Sequence, residues 1–174
     1  MKRLFTISLL LISINCFSQR PDYSAECKQA MRQVASLAGD WQGQTAFRSG
    51  PGPEQIANQV EHIVFKLDST ILQIEGTGTK DGQKVFEALA ILNYNPFTKA
   101  FEMKSFLKEG TSTEAYFKVL SDTTFEWGFD IPQGGKIRYN ITLQENKTKW
   151  IEKGEYTGDG QNWYPFVSLD LTRK

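Results

Sequence analysis

The hydrophobic period of the chain changes once, at Gly39-Asp40-Trp41. Before that point Cys27, Ala30, Met31, Val34 and Leu37 recur at steps of three and four, with Glu26, Lys28, Gln29, Arg32 and Gln33 on the other face. This spacing predicts one amphipathic helix of about four turns, opened by Pro21-Asp22 and ended by Gly39. After Trp41 the period is two. Phe125, Trp127 and Phe129 alternate with Glu126, Gly128 and Asp130, and Ile137, Tyr139, Ile141 and Leu143 alternate with Arg138, Asn140 and Thr142. Such runs place apolar side chains on one face of a sheet. Ile63 to Leu67 and Ala88 to Leu92 are less clean, with apolar residues on both faces.

Turn residues punctuate the runs about every ten positions. Asp81-Gly82 and Asp159-Gly160 carry the residue types that two-residue hairpin turns need. Asp68-Ser69, Asn95-Pro96, Glu109-Gly110, Asp122-Thr123, Gly134-Gly135 and Asn146-Lys147 mark the others, and Ser49 to Glu54 is a longer Gly/Pro loop. No second helix, repeat or linker interrupts them. The pattern predicts an all-β fold of about ten hairpin-linked strands, an up-and-down antiparallel meander. A sheet of that size has two exposed edges unless it closes, so a single β-barrel is expected. Eight strands enclose just enough space for side chains or one small ligand, and ten enclose more.

The first residues have a different logic. Met1-Lys2-Arg3 is positive, Leu4 to Ile14 is an apolar run, and Cys16-Phe17-Ser18-Gln19 offers a cleavage site after Ser18. The run is too short for a permanent span and has the flanks of a signal peptide. Residues 1–18 are therefore read as a bacterial Sec signal and residues 19–174 as the mature barrel domain, periplasmic or secreted. A lipidated Cys16 would need a small residue before it, and Asn15 fits poorly. Loss of Lys2 and Arg3 tips the balance of 20 basic and 20 acidic residues slightly acidic. That gives no basic footprint for nucleic acid or an anionic membrane surface. With Cys16 removed, Cys27 stands alone, so no internal disulfide forms and stability must come from the core.

Four segments carry a family resemblance: Leu37-Ala38-Gly39-Asp40-Trp41 behind the helix, Leu92-Asn93-Tyr94-Asn95-Pro96, Asp159-Gly160-Gln161-Asn162-Trp163, and Leu171-Thr172-Arg173. Together they span nearly the whole mature chain. In their order and context the chain resembles the calycin superfamily, and within it bacterial lipocalin-like barrels. The resemblance implies that Trp41, behind Gly39, plugs one end of the barrel and that Arg173 stacks on it, a cation–π contact of roughly 0.5–2 kcal/mol. The chain departs from animal lipocalins in lacking their disulfide. It also departs from haem-binding barrels of the superfamily in having no histidine after residue 62.

Residue types then limit the chemistry. His62 is the only histidine. It could serve as a haem ligand, a lone metal ligand or an acid/base, and the plainer reading is a strand histidine bonded to a neighbour. One His and one Cys on a distant helix do not make a zinc site, whereas a haem needs only one axial ligand. No Gly-x-Ser-x-Gly elbow is present, and Gly76-Thr77-Gly78-Thr79-Lys80 leads into no helix that could hold a phosphate. Catalysis is thus not evident, and no cofactor beyond haem is suggested. Glu152 shares a face with Trp150, Gly154 and Tyr156. If that face points inward, it is a polar group in an apolar cavity with a raised pKa. Phe125, Trp127, Tyr139, Trp150 and Trp163 could line a pocket or simply fill the barrel. The expectation is an exported barrel that binds a small apolar or amphipathic ligand through His62, Phe125, Trp127, Tyr139, Trp150 and Glu152. The alternatives are a haem barrel using His62 or a barrel enzyme using interior carboxylates.

Overall fold

A computed structural model describes residues 21–48, 50, 52–132 and 134–174. The signal sequence read at 1–18, with Cys16, lies outside the described residues, as do Ser49 and Pro51 of the Gly/Pro loop.

The helical region is in two parts. Helix α1 (Ser24–Met31) opens with the Ser24 amide donating to Asp22 Oδ1 at 2.9 Å. From Arg32 to Leu37 the coil tightens to a 3₁₀ helix. The four-turn α-helix expected from the sequence is thus two turns of α and two of 3₁₀. The reason is visible in the spacing: Met31, Val34 and Leu37 stand three apart, so a three-residue turn stacks them in one line, and all three are fully buried.

Ten strands follow: β1 (Gly39–Phe47), β2 (Gln55–Lys66), β3 (Ile71–Lys80), β4 (Gln83–Asn95), β5 (Ala100–Leu107), β6 (Ser112–Val119), β7 (Thr124–Asp130), β8 (Lys136–Gln144), β9 (Lys149–Thr157) and β10 (Tyr164–Arg173). Each pairs antiparallel with its sequence neighbour, and β10 returns to β1 with Trp41 opposite Arg173 and Phe47 opposite Val167. The sheet is therefore a closed, up-and-down ten-stranded barrel, and no edge is left to pair with another chain. The two clearest turn signals are used differently. Asp81 and Gly82 both take positive φ, 51° and 75°, in a two-residue hairpin. Asp159-Gly160 lies instead in a longer loop, where Asp159 Oδ1 accepts from the amides of Gln161 and Asn162 at 2.8 Å each. Pro165, which has no N–H to give the ladder, stands at a register shift in β10.

The up-and-down course gives the barrel two unlike ends. At the end where β1 begins, Trp41, Leu72, Leu92, Phe125 and Leu171 are fully buried against Met31, Val34 and Leu37. Rings interlock across this layer, Trp41 edge-on to Trp150 at 5.4 Å and Phe117 tilted against Phe125 at 5.9 Å. Trp41 Nε1 donates to Leu37 O at 2.9 Å. The Arg173 guanidinium lies 4.2 Å over the Trp41 ring and donates to Ala38 O and Ser36 O at 2.6 Å each and to Lys147 O at 3.2 Å. Gly39, at φ 132°, is where the backbone passes beneath that guanidinium, and a Cβ there would collide with its Nη1. This end is shut by the helix, one indole and one arginine.

Candidate functional site in the barrel lumen

Above the closed end, the inward faces of the strands divide into two walls. On β1 to β6 many inward residues are small, Thr45, Ala57, Gly76, Ala90, Ser105 and Thr113, with Phe47, Ile74 and the polar Gln59 and Glu61 on the same face. On β7 to β9 they are aromatic: Trp127, Phe129, Tyr139 and Tyr156. Ala90, Ser105, Thr113, Trp127, Phe129 and Tyr139 are only half-buried although they point into the barrel. These half-buried residues stand above the closed-end layer, where the small residues of β1 to β6 and the aromatic residues of β7 to β9 are on opposite sides of the barrel. Trp127 and Tyr139 stack in parallel, 3.8 Å between centroids and 4° between planes. Gly154, inward on β9, makes room for Tyr139: a Cβ there would meet its ring at 2.7 Å.

Two carboxylates sit in this lumen. Glu152 on β9 is 6% exposed and accepts from both neighbouring indoles, Trp127 Nε1 at 2.9 Å and Trp150 Nε1 at 3.0 Å. Burial pushes its carboxyl up to about 7, and the two N–H donors oppose that rise. An indole N–H can only donate, so Glu152 satisfies both donors at once and fixes the tilt of both rings. Glu61 on β2 is 8% exposed. Gln59 Nε2 donates to its Oε1 at 2.6 Å. Burial raises Glu61 to about 8, against that hydrogen bond, and the charge of Glu152 adds to the rise. Burial also raises the Tyr139 phenol, with Glu152 contributing. Room for Glu61 comes from its cross-strand partner Gly76, where a Cβ would stand 2.8 Å from both carboxylate oxygens. Gly78 does the same for Gln59, with a Cβ 3.0 Å from Oε1. These two polar side chains therefore lie against β3, over its glycines. Glu61 Oε2 and Gln59 Oε1 accept no hydrogen bond from any described side chain or amide.

The residues proposed from the sequence fall in three places. Trp127, Tyr139 and Glu152 share the upper lumen, with Trp150 bonded to Glu152 from below. Phe125 is fully buried in the closed-end layer. His62 is on the outer wall, its side chain 50% exposed, with Nδ1 2.6 Å from Asp40 Oδ1. An imidazole there does not reach a molecule held inside the barrel. Its neighbour Glu61 is the inward residue, and sequence reasoning missed it.

The fold is that of a lipocalin-like barrel. Neither a family model nor a curated protein matches the chain. Among solved structures, Rv2717c from M. tuberculosis is similar with a TM-score of 0.63 at 12% identity, over 83% of this chain and 97% of that one. The S-type phycobiliprotein lyase CPES from Guillardia theta is similar with a TM-score of 0.58 at 10% identity, over 88% and 98%. At these identities the likeness is one of fold. Two clefts are present, the first reaching the inward residues Phe129 and Ile137 at the barrel rim. That one, of about 340 Å³, is on the outer wall where Arg138 stacks on Trp163 at 3.9 Å and bonds Glu155 at 2.8 Å. The other, of about 220 Å³, is between the helix and the β2–β3 turn. Neither holds a buried acid. Among the described residues no group of three or more His, Cys, Asp or Glu is placed to hold a metal, and no helix is long and apolar enough to cross a membrane.

The double acceptance by Glu152 makes its replacement informative. Glu152→Leu leaves one buried and one part-buried indole donor without a partner, at up to about 1–3 kcal/mol each. Glu152→Gln keeps one acceptor oxygen, so its expected loss is about half as large. Urea denaturation of the two variants checks the order; equal losses would mean that only one indole bond matters.

Proposed function

We propose that this protein is an exported lipocalin-like barrel that binds a small apolar or amphipathic molecule in its upper lumen, entering at the mouth opposite Trp41. The observation that carries the reading is the division of the lumen. One end is sealed by large buried side chains, and the other carries small residues, a stacked Trp127–Tyr139 pair and two buried acids, with several of these side chains only half-buried. A barrel needing only a core would have no reason to keep polar groups and glycines at that level. The apolar walls would supply affinity by burial, and Glu61, Gln59 and Glu152 would orient the guest.

Two measurements test this. Native mass spectrometry of protein purified from its own host is expected to show a retained small molecule. The neutral fluorophore N-phenyl-1-naphthylamine is expected to brighten on titration, and Thr113→Trp, which fills the small wall, is expected to weaken that binding at least tenfold. An unbrightened probe together with a ligand-free mass would overturn the reading. Export through residues 1–18 is checked by fractionating the host and sequencing the mature N-terminus, expected at Gln19.

A second reading, acid–base catalysis, is favoured by one observation: Glu61 and Glu152 titrate near neutrality in one lumen. It requires that the retained molecule be turned over and that Glu61→Gln stop the turnover without releasing the molecule.

A further inference from the structure

The lumen is one-sided in charge and in hydrogen bonding. Glu61 and Glu152 face it, and the basic residue on the inward register nearest them, Lys80, is at the rim with Nζ donating to Gln55 at 3.1 Å. Arg173 is below the Trp41 plate and spent on three carbonyls. The other titratable groups on inward faces are phenols: Tyr139 beside Glu152, Tyr94 toward the closed end and Tyr156 at the mouth. On β1 and β3, the strands flanking Glu61, its cross-strand partners are Trp41 and Gly76, with Gly43, Ile74 and Gly78 next on the same face, and none titrates. Gln59 Oε1 and Glu61 Oε2 have no donor among the described residues, and their side chains, more than nine-tenths buried, lie on the inward face over Gly78 and Gly76. Across from them is the flat Trp127–Tyr139 stack.

We propose that the molecule bound in the lumen is a planar organic cation, an aromatic ring bearing a protonated amine, with its ring on the Trp127–Tyr139 wall and its N–H groups donating to Glu61 and Gln59. The proposal rests on the lumen-binding reading and narrows it. A protonated amine supplies the donors that the two acceptors lack and the charge that two desolvated carboxylates favour. Aromatic faces add attraction for the same charge. An anion of similar shape would meet two acids, with the one base of the inward register, Lys80, held out at the rim by Gln55. Because a bound cation favours ionised carboxylates, its binding displaces protons from Glu61 and Glu152.

The test uses one ring with three charges: 1-naphthylmethylamine, 1-naphthalenemethanol and 1-naphthoate, titrated calorimetrically into the mature protein at pH 7. The amine is expected to bind at least tenfold more tightly than the alcohol, with naphthoate weakest. Amine titrations in phosphate and in Tris are expected to differ by the heat of up to about one proton released per ligand. Glu61→Gln is expected to bring amine and alcohol within about twofold of each other. Gln59→Leu, which removes the adjacent acceptor and keeps the acid, is expected to weaken the amine selectively. Tighter or equal binding of the alcohol or naphthoate by the unmodified protein overturns the cation. If either binds and Thr113→Trp abolishes it, lumen binding survives that loss. If none of the three binds, both fall.

Discussion

Replacing Arg173 with Ala is expected to cost about 3–4 kcal/mol, from two strong hydrogen bonds of a charged donor, a weaker third and the stack on Trp41. The guanidinium is the only described side chain that joins the 3₁₀ helix, the β8–β9 turn and the Trp41 plate at once. Its loss leaves the carbonyls of Ser36 and Ala38 without a side-chain donor, and it loosens the helix from the barrel floor. Arg173→Lys is expected to recover little. One ammonium cannot reproduce a planar fork that reaches three carbonyls and lies flat on an indole. Urea midpoints of the two variants check this. A loss below about 1 kcal/mol in Arg173→Ala would mean that water replaces the contacts in full.

The second large effect is a pH dependence opposite to that of ordinary salt-bridged carboxylates. In the folded protein Glu61 ionises at about 8 and Glu152 at about 7, against 4.5 for a free glutamate. Between those values the folded state holds more protons than the unfolded state, so stability falls as pH rises. The contribution is complete below about pH 4.5 and is lost as pH passes through 7 and 8. Each tenfold difference in proton affinity between the folded and unfolded states is worth about 1.4 kcal/mol. The loss between pH 5 and pH 9 is therefore about 4 kcal/mol from Glu61 alone and at most about 7 kcal/mol from both sites together. Glu61→Gln is expected to match the unmodified protein near pH 5 and to exceed it in stability at pH 9, since a neutral amide avoids the buried charge. Unfolding free energies at both pH values decide the matter, and a variant weaker at pH 9 would show that Glu61 is paired in its ionised form.

Much of the architecture was legible in the sequence. Strand number, order and closure follow from period-two runs with turns about ten residues apart, because a meander of that size must bury its edges. The site was legible only where the alternation is clean. On β7 and β8, Trp127 and Tyr139 stand on clean apolar faces, whereas the direction of the Glu152 face on β9 was open in the sequence. On β2 the two faces are Ile56, Asn58, Val60, His62 and Val64 against Ala57, Gln59, Glu61, Ile63 and Phe65, and neither is clearly the apolar one. Only pairing with Trp41 on β1 and Gly76 on β3 decides which points inward. His62, with the more familiar chemistry, therefore stands out in the sequence, whereas its neighbour Glu61 faces the lumen. One signal was present: Gly76 and Gly78, two glycines two apart within a strand, mark positions where facing side chains need space. The helix shows the reverse limit. Its buried positions were readable, but steps of three and four do not separate α from 3₁₀ when the last three are all three apart.

The pairing of β10 with β1 also governs the order of assembly. Every other pair joins sequence neighbours and can form as the chain lengthens, whereas this one brings Trp41 and Arg173 together across most of the domain. The same strand carries the arginine that fastens the helix to the barrel floor. Until β10 arrives, the growing sheet has two open edges and an unfastened plug, the state most exposed to strand-to-strand aggregation. Hydrogen exchange during refolding would therefore register the floor and the β1–β10 seam as one late cooperative event.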